Sequence, residues 1–217
     1  MKLFIDSGNI KDIEKLADIG IIDGVTTNPT LLAKEPGDYR DNLKKICSIV
    51  KGPVSGEVTA TDFAGMIQQG RDIAKIDQYM VVKVPLTRDG IKACKALAGE
   101  GIKVNVTLCF SSAQALLAAK AGATFVSPFV GRLDDVGTDG MQLVREIVDI
   151  FENYDFRTEI LVASCRHPMH VIEAARMGAD IATCPPAVID ALFNHPLTSI
   201  GLEKFLKDWD KAQAVKA

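Results

Sequence analysis

The sequence lacks long apolar runs, long blocks of like charge and a targeting segment. No stretch approaches the roughly 18 apolar residues of a membrane span, and the N-terminal MKLFIDSGN has too few apolar residues for a signal peptide. The 25 Lys and Arg residues nearly balance the 28 Asp and Glu residues, and the net charge is −3. We therefore expect a cytoplasmic protein that binds neither membranes nor nucleic acid.

Paired cysteine motifs and nucleotide-binding loops are also missing. The five cysteines contain no CxxC spacing, a pattern typical of reduced thiols in a cytoplasmic protein. The first β-rich run ends in DSGN, and the chain contains neither GxGxxG nor a P-loop. This argues against the doubly wound open sheet, which is the main alternative to the fold predicted below.

What the 217-residue chain does contain is a regular alternation of β-rich runs with amphipathic helical stretches. Such alternation predicts a parallel sheet with right-handed crossovers, and eight units predict an α/β fold of the (β/α)8 TIM-barrel type. No linker interrupts the chain, so residues 1–217 are expected to form one domain. The predicted strands are residues 2–6, 24–28, 54–58, 80–85, 103–108, 125–130, 159–164 and 181–185.

The chain continues beyond the eighth unit, and residues 197–213 predict an extra C-terminal helix. Leu202, Phe205, Leu206 and Trp209 share one face of it at helical spacing. The pattern leaves open whether this face packs on its own barrel or on a neighbouring subunit.

Polar residues lie near the ends of seven predicted strands or in the loops that follow them. In (β/α)8 barrels the active site is built at the C-terminal ends of the strands. A buried strand has no structural need for such groups, so their recurrence predicts a functional site. They are Asp6, Thr26, Thr27, Asn28, Glu57, Lys83, Asn105, Thr107, Ser127, Arg132, Ser164 and Arg166.

The most unusual of these residues is Lys83, which stands inside the apolar run YMVVKVPLT. Lysine is rarely buried without a partner, and burial disfavours the charged form of an amine. A neutral amine can attack a carbonyl and form a Schiff base. Asp6 and Glu57 are available as the proton carriers that carbon–carbon bond cleavage next to such an imine requires.

The loops after the sixth and seventh strands add a candidate anion site. Arg132 and Arg166, with Ser164, suit a phosphate, because the planar guanidinium donates in a fork. Barrels of this kind often hold phosphate close to this position. The combined set predicts an aldol-type enzyme that acts on phosphorylated sugars.

With these residues in view, the sequence resembles the transaldolase family. The resemblance runs from Asp6 to Trp209, and the short chain resembles the small microbial branch, which also contains fructose-6-phosphate aldolases. The matching motifs are DGVTTNPTLL (23–32), VVKVP (81–85), NVTLCFS (105–111), SPFVGRLDD (127–135) and ASCRHP (163–168).

The resemblance implies a role for each site residue. Lys83 would form the Schiff base and Asp6 would take the C4 hydroxyl proton, while Glu57 and Thr107 would hold a relay water. Neither a metal nor an organic cofactor is implied, and the loosely spaced His167, His170 and Cys165 do not predict a metal site. The implied substrate-binding residues are Thr26, Asn28, Asn105, Ser127 and Phe129, with Arg132, Ser164 and Arg166 at the phosphate.

Two positions bear on the branch of the family. By this resemblance, the related aldolases have a glutamine at the position of Glu57 and a tyrosine at the position of Phe129. This chain has Glu and Phe there, as transaldolases do. The resemblance therefore implies transfer of a dihydroxyacetone unit between sedoheptulose 7-phosphate/glyceraldehyde 3-phosphate and fructose 6-phosphate/erythrose 4-phosphate, in the pentose phosphate pathway. It also implies a homo-oligomer, a pentamer or decamer. The alternatives are a fructose-6-phosphate aldolase and, more distantly, a non-catalytic sugar-phosphate-binding barrel.

Overall fold

A computed structural model, which describes residues 1–215, shows a closed barrel of eight parallel strands in chain order. This confirms the predicted (β/α)8 barrel over the open doubly wound sheet, because β1 pairs with both β2 and β8. The strands are β1 (Lys2–Asp6), β2 (Gly24–Thr26), β3 (Val54–Glu57), β4 (Met80–Pro85), β5 (Val104–Cys109), β6 (Phe125–Pro128), β7 (Glu159–Val162) and β8 (Ile181–Cys184).

Helices connect the strands, and most of the longer ones begin at a side-chain cap. Asn9, Asp62 and Ser111, for example, each accept a hydrogen bond from a backbone N–H of the first turn, which satisfies a donor that has no partner inside the helix. No helix within residues 1–215 is both long and apolar enough to span a membrane. The helices are α1 (Ile10–Ala17), α2 (Pro29–Leu32), α3 (Tyr39–Val50), α4 (Phe63–Ala74), α5 (Arg88–Gly99), α6 (Ser112–Ala121), α7 (Val130–Asp134), α8 (Gly140–Glu152), α9 (Pro168–Met177), α10 (Pro186–Leu192) and α11 (Pro196–Ala214).

The inside of the barrel is filled in layers, which explains where a lysine can stand in a buried strand. Residues two apart on a strand point to the same side. The part of the interior nearer the N-terminal ends of the strands is an apolar cluster that includes Phe4, Val81, Phe125, Leu161 and Ile181. The residues two positions later therefore form the next layer towards the C-terminal ends, and they are Asp6, Lys83, Ser127, Ala163 and Thr183.

Several strands end earlier than the sequence predicts, and in two of them, β2 and β6, the chain enters a short helix at once. β2 ends at Thr26, and Asn28 caps α2 by accepting from the Leu31 N–H at 2.9 Å. β6 ends at Pro128, and residues 129–130, predicted as strand, form the N-cap and first residue of α7. Both short helices turn polar residues of the strand ends towards the mouth of the barrel.

The apolar face of α11 does not pack on its own barrel. Leu202 is 59% exposed, Phe205 72%, Leu206 56% and Trp209 63%. Of the two alternatives that the pattern left open, packing on the same chain is therefore wrong for residues 1–215.

Candidate active site

Lys83 lies in the barrel interior on β4, with only 5% of the residue exposed. Its Nζ atom donates to the backbone oxygen of Thr27 at 2.7 Å and lies 3.0 Å from Glu57 Oε2. The register of β3 against β4 places Glu57 directly beside Lys83. The buried lysine is thus paired with a carboxylate, which compensates for the loss of hydration.

Asp6 lies in the same layer and is held by Thr26, which in turn contacts a second threonine. Thr26 Oγ1 donates to Asp6 Oδ1 at 2.7 Å, and Thr26 Oγ1 lies 2.6 Å from Thr183 Oγ1. Burial raises the pKa of the Asp6 carboxyl, while the hydrogen bond from Thr26 and the charge of Lys83 act in the opposite direction. A carboxyl with a raised pKa is a better proton acceptor than an ordinary one.

A second polar chain crosses from β3 to β6. Asn105 Nδ2 donates to Ser55 Oγ at 3.2 Å, and Ser127 Oγ donates to Asn105 Oδ1 at 2.8 Å. The amide of Asn105 is therefore fixed in orientation while fully buried. Thr107 Oγ1 is also buried, and it has no hydrogen-bond partner among residues 1–215.

The cationic residues lie at one side of the mouth, where β6 and β7 end. The guanidinium of Arg132 stacks over the Phe129 ring, 5.0 Å from its centroid, and Arg166 Nη2 donates to Asp135 Oδ2 at 2.7 Å. Ser164 has a φ of 61°, a left-handed conformation that is uncommon for a non-glycine residue. Gly131 permits the close approach here, because a Cβ atom would lie 2.2 Å from the Ser164 oxygen.

All of the predicted site residues except Thr27 and Glu57 line one cavity of about 240 Å³ at the C-terminal ends of the strands. Glu57 borders an adjoining groove, which it shares with Asp6 and Lys83. The sequence did not single out Thr183 or Ser55, because both look like ordinary strand residues. Counting two positions on from the inward-facing Ile181 finds Thr183, once the face of β8 is known.

The remaining candidate groups near the cavity are histidine and cysteine side chains. Within the described part of the chain, no three His, Cys, Asp or Glu side chains are grouped so as to hold a metal ion.

Cys165 also borders the cavity, and hydrogen bonding with Cys184 and burial raise the pKa of its thiol well above the ordinary value. A thiol of this kind stays protonated, so it is a poor nucleophile.

The fold and the cavity together define a class of protein. It is a (β/α)8 barrel with a carboxylate-paired lysine in its interior, a buried second carboxylate nearby and arginines at one side of the mouth. The chain belongs to the transaldolase/fructose-6-phosphate aldolase family, whose model matches residues 3–216. The resemblance seen in the sequence is therefore confirmed.

Named relatives match almost the whole chain. It is 58% identical to the "Probable transaldolase" of Nitrosopumilus maritimus, covering 99% of this chain and 97% of the relative. It is 56% identical to the "Probable transaldolase" of Kosmotoga olearia and 59% identical to that of Anaeromyxobacter sp. strain K, with 97% of each chain covered in both cases.

A solved structure supports the fold alone. Thiamine phosphate pyrophosphorylase from Pyrococcus furiosus superimposes with a TM-score of 0.61 over 86% of each chain, at 14% identity. Because barrels of this type support many chemistries, this likeness says nothing about the reaction.

Proposed function

We propose that the protein is a transaldolase, a transferase that moves a dihydroxyacetone unit between phosphorylated sugars through a Schiff base on Lys83. The donor and acceptor pairs are sedoheptulose 7-phosphate with glyceraldehyde 3-phosphate and fructose 6-phosphate with erythrose 4-phosphate. The observation that carries the proposal is the buried Lys83, 3.0 Å from Glu57 at the bottom of a polar cavity. The names of the relatives agree with it.

In the first step Lys83 gives up a proton and attacks the C2 carbonyl of the donor sugar. Glu57 Oε2 is the carboxylate oxygen at 3.0 Å from Lys83 Nζ, so it is placed to take that proton. One amine proton moves to the former carbonyl oxygen, Glu57 returns to that oxygen the proton it took, and loss of the oxygen as water produces the iminium ion. Thr107 Oγ1, which is buried without a partner among the described residues, is suited to bind that water.

In the second step the bond between C3 and C4 breaks. Asp6 takes the proton of the C4 hydroxyl, the C3–C4 electron pair moves into the iminium, and an aldose phosphate leaves. Burial raises the pKa of Asp6, which favours proton transfer to it. The dihydroxyacetone unit stays on Lys83 as an enamine until an acceptor aldehyde arrives, and Asp6 then returns its proton to the new hydroxyl.

Side chains around the lysine would orient the sugar. Asn105 is fixed by Ser55 and Ser127, so its amide has no freedom to turn away from a bound hydroxyl. Asn28 holds the N-terminus of α2 at the mouth of the same cavity. Fixed polar groups of this kind lower the entropy that the reaction must lose in the transition state.

The phosphate would lie beside Arg132, Ser164 and Arg166. These three residues border one side of the cavity, where β6 and β7 end. The phosphate end is thus separate from the lysine, as a substrate with its phosphate on C6 or C7 requires.

Glu57 and Phe129 favour transfer over release. The enamine survives while no group delivers a proton to its carbon, and Phe129 presents a ring without a hydroxyl to the cavity. A second aromatic ring, Phe110, packs against Phe129 with 5.9 Å between centroids. Two aromatic rings without hydroxyl groups therefore lie next to the guanidinium of Arg132 on this side of the mouth.

The proposal includes a homo-oligomer, because α11 offers an exposed apolar face. Leu202, Phe205, Leu206 and Trp209 form a continuous stripe whose burial is favourable. A second copy of the chain would cover this stripe in a ring of five or ten subunits.

A coupled assay tests the proposed reaction. With fructose 6-phosphate as donor, we expect rapid formation of sedoheptulose 7-phosphate from erythrose 4-phosphate and little free dihydroxyacetone. Release of dihydroxyacetone as fast as transfer would favour the fructose-6-phosphate aldolase alternative. If no sugar phosphate reacts, the non-catalytic sugar-phosphate-binding barrel remains.

A further inference from the structure

The phosphate end is assembled from two segments that are far apart in the chain. One is α7, which carries Arg132, and the other is residues 163–166, which follow β7. Backbone hydrogen bonds join them, from Val130 N to the Ala163 oxygen at 3.1 Å and from Gly131 N to the Ser164 oxygen at 3.2 Å. These bonds fix the start of α7 but leave the backbone of Arg166 to be held by another group.

That group is His170, in the first turn of α9, with 4% of the residue exposed. Its Nδ1 atom accepts a hydrogen bond from the backbone N–H of Arg166 at 3.1 Å. Its Nε2 atom lies 2.9 Å from Asp134 Oδ2, at the last residue of α7. One imidazole ring therefore links the backbone of Arg166 to the helix that carries Arg132.

The two contacts require one tautomer. Nδ1 accepts a bond, so it carries no proton, and Nε2 must carry the proton that it donates to Asp134. The second oxygen of Asp134 accepts from the Gly140 N–H at 2.9 Å, so this carboxylate is fixed as well. Both ring nitrogens of the histidine are used in holding the loop, and neither is left over for a proton-transfer role.

The surroundings favour the neutral ring. Burial and the neighbouring His167, whose ring centroid is 3.9 Å away, lower the pKa of His170. Asp134 and Glu173 act in the opposite direction, and the net shift is downward. The neutral form that the geometry requires is thus the form present at neutral pH.

We propose that His170 is a positioning residue for phosphate recognition, which holds Arg166 and α7 in a fixed relation through its two ring nitrogens. The inference rests on the proposed function, since it assumes that Arg132 and Arg166 bind the substrate phosphate. His170 itself does not border the cavity. Its loss is expected to weaken the binding of phosphorylated sugars without affecting the amine of Lys83.

Two substitutions separate the two contacts. In His170→Asn the side-chain oxygen lies near the position of Nδ1 and can still accept from Arg166, whereas the contact with Asp134 is lost. In His170→Gln the amide reaches the position of Nε2 and can still donate to Asp134, whereas the acceptor for Arg166 is lost. We expect His170→Gln to raise KM for fructose 6-phosphate about tenfold and His170→Asn to raise it about threefold or less, as for single hydrogen bonds.

A comparison with an unphosphorylated substrate distinguishes a positioning role from a merely structural one, because a merely structural role would affect both substrates equally. Borohydride trapping of dihydroxyacetone on Lys83 should keep the concentration dependence of the unmodified protein in both variants, within about twofold. Inhibition of the fructose 6-phosphate reaction by inorganic phosphate should weaken in His170→Gln. The matched control is His195→Gln, because His195 Nδ1 also accepts from a backbone N–H at a helix start, that of Leu197 at 3.2 Å.

Asp134→Asn provides a second test that leaves the imidazole in place. The Gly140 N–H holds the oxygen of the new side-chain amide, so the amide NH₂ group faces His170 Nε2. Nε2 must then accept a hydrogen bond, and the proton of the neutral imidazole moves to Nδ1. The Nδ1–H of His170 and the backbone N–H of Arg166, both donors, then face each other. In protein with 15N-labelled histidine, the His170 Nδ1 resonance should change from the unprotonated to the protonated position, and KM for fructose 6-phosphate should rise.

The possible outcomes separate the inference from the proposed function. A selective rise of KM for the phosphorylated sugar, larger for Gln than for Asn, supports the positioning role. Equal losses with dihydroxyacetone, equal effects of Gln and Asn, or no change in either variant would overturn it. If the unmodified protein traps neither substrate, the proposed function fails and takes the inference with it.

Discussion

Replacing Arg166 by alanine tests whether the arginine that follows β7 recognises the substrate phosphate. The side chain borders the cavity, and its guanidinium Nη2 atom donates to Asp135 at 2.7 Å. Alanine removes the guanidinium but leaves the backbone N–H from which His170 accepts a hydrogen bond. We expect a higher KM for fructose 6-phosphate and an unchanged reaction of Lys83 with dihydroxyacetone.

The size of the effect follows from the exposure of the pair. Truncating one partner of a desolvated charge pair costs about 2–5 kcal/mol, whereas an exposed pair is worth up to about 1 kcal/mol. The Arg166 side chain is 51% exposed, and its present partner Asp135 is 60% exposed. We therefore expect an intermediate loss of about 2 kcal/mol, or about 30-fold in KM.

The assay compares KM for fructose 6-phosphate with half-saturation of borohydride trapping by dihydroxyacetone. Arg71→Ala is the matched control, because Arg71 also pairs with a carboxylate, Glu100 at 2.6 Å, and its side chain is 52% exposed. It lies on α4, away from the strand ends. We expect this control to leave both values unchanged.

Asp135→Asn should act in the opposite direction. The Asp135 carboxylate competes with a phosphate for the guanidinium of Arg166, so its neutral analogue should lower KM for fructose 6-phosphate by up to about fivefold. An equal loss with phosphorylated and unphosphorylated substrates in Arg166→Ala would refute the reasoning, since it would place Arg166 outside phosphate recognition.

Three further predictions concern the branch, the base and the assembly. Phe129→Tyr should raise release of dihydroxyacetone relative to transfer, and adding Glu57→Gln should raise it further; an unchanged ratio removes both from branch selection. Asp6→Asn should stop cleavage but keep trapping of dihydroxyacetone. The pKa of Asp6 is raised in the folded protein, so at neutral pH its charged form destabilises the fold relative to a neutral side chain. Asp6→Asn should therefore melt at a higher temperature than the unmodified protein at neutral pH, and an unchanged melting temperature contradicts this. Deleting residues 198–217 should shrink the particle in size-exclusion chromatography with light scattering, and an unchanged particle would place the contact elsewhere.

The barrel could be predicted because its signals are local. Seven of the eight buried runs of strand-formers end near a polar residue or precede one, as Lys2–Asp6 does, and most of the longer helices begin after a capping side chain such as Asp62. The ends of β2 and β6 were predicted too late, because Asn28 and Phe129 are compatible with a strand but serve as N-caps of short helices. The single domain of residues 1–217 stays a prediction.

The contacts inside the site depend on strand register, which the sequence does not reveal. Glu57 and Lys83 are both visible as unusual strand residues, but only the pairing of β3 with β4 makes them a 3.0 Å ion pair. Thr183 looks like an ordinary β-former until β8 is seen to close the barrel against β1. The exposure of α11 likewise could not be read from its stripe, because an apolar face does not say which surface covers it.

The most direct test of the account is the identity of the amine that reacts. Borohydride reduction in the presence of fructose 6-phosphate, followed by peptide mass mapping, should find one reduced adduct, on Lys83. Lys83→Arg keeps a cation beside Glu57 but cannot form a Schiff base, so it should fold and trap nothing, whereas the control Lys103→Arg should trap as the unmodified protein does. An adduct that persists in Lys83→Arg, or one that maps to another lysine, would contradict the account.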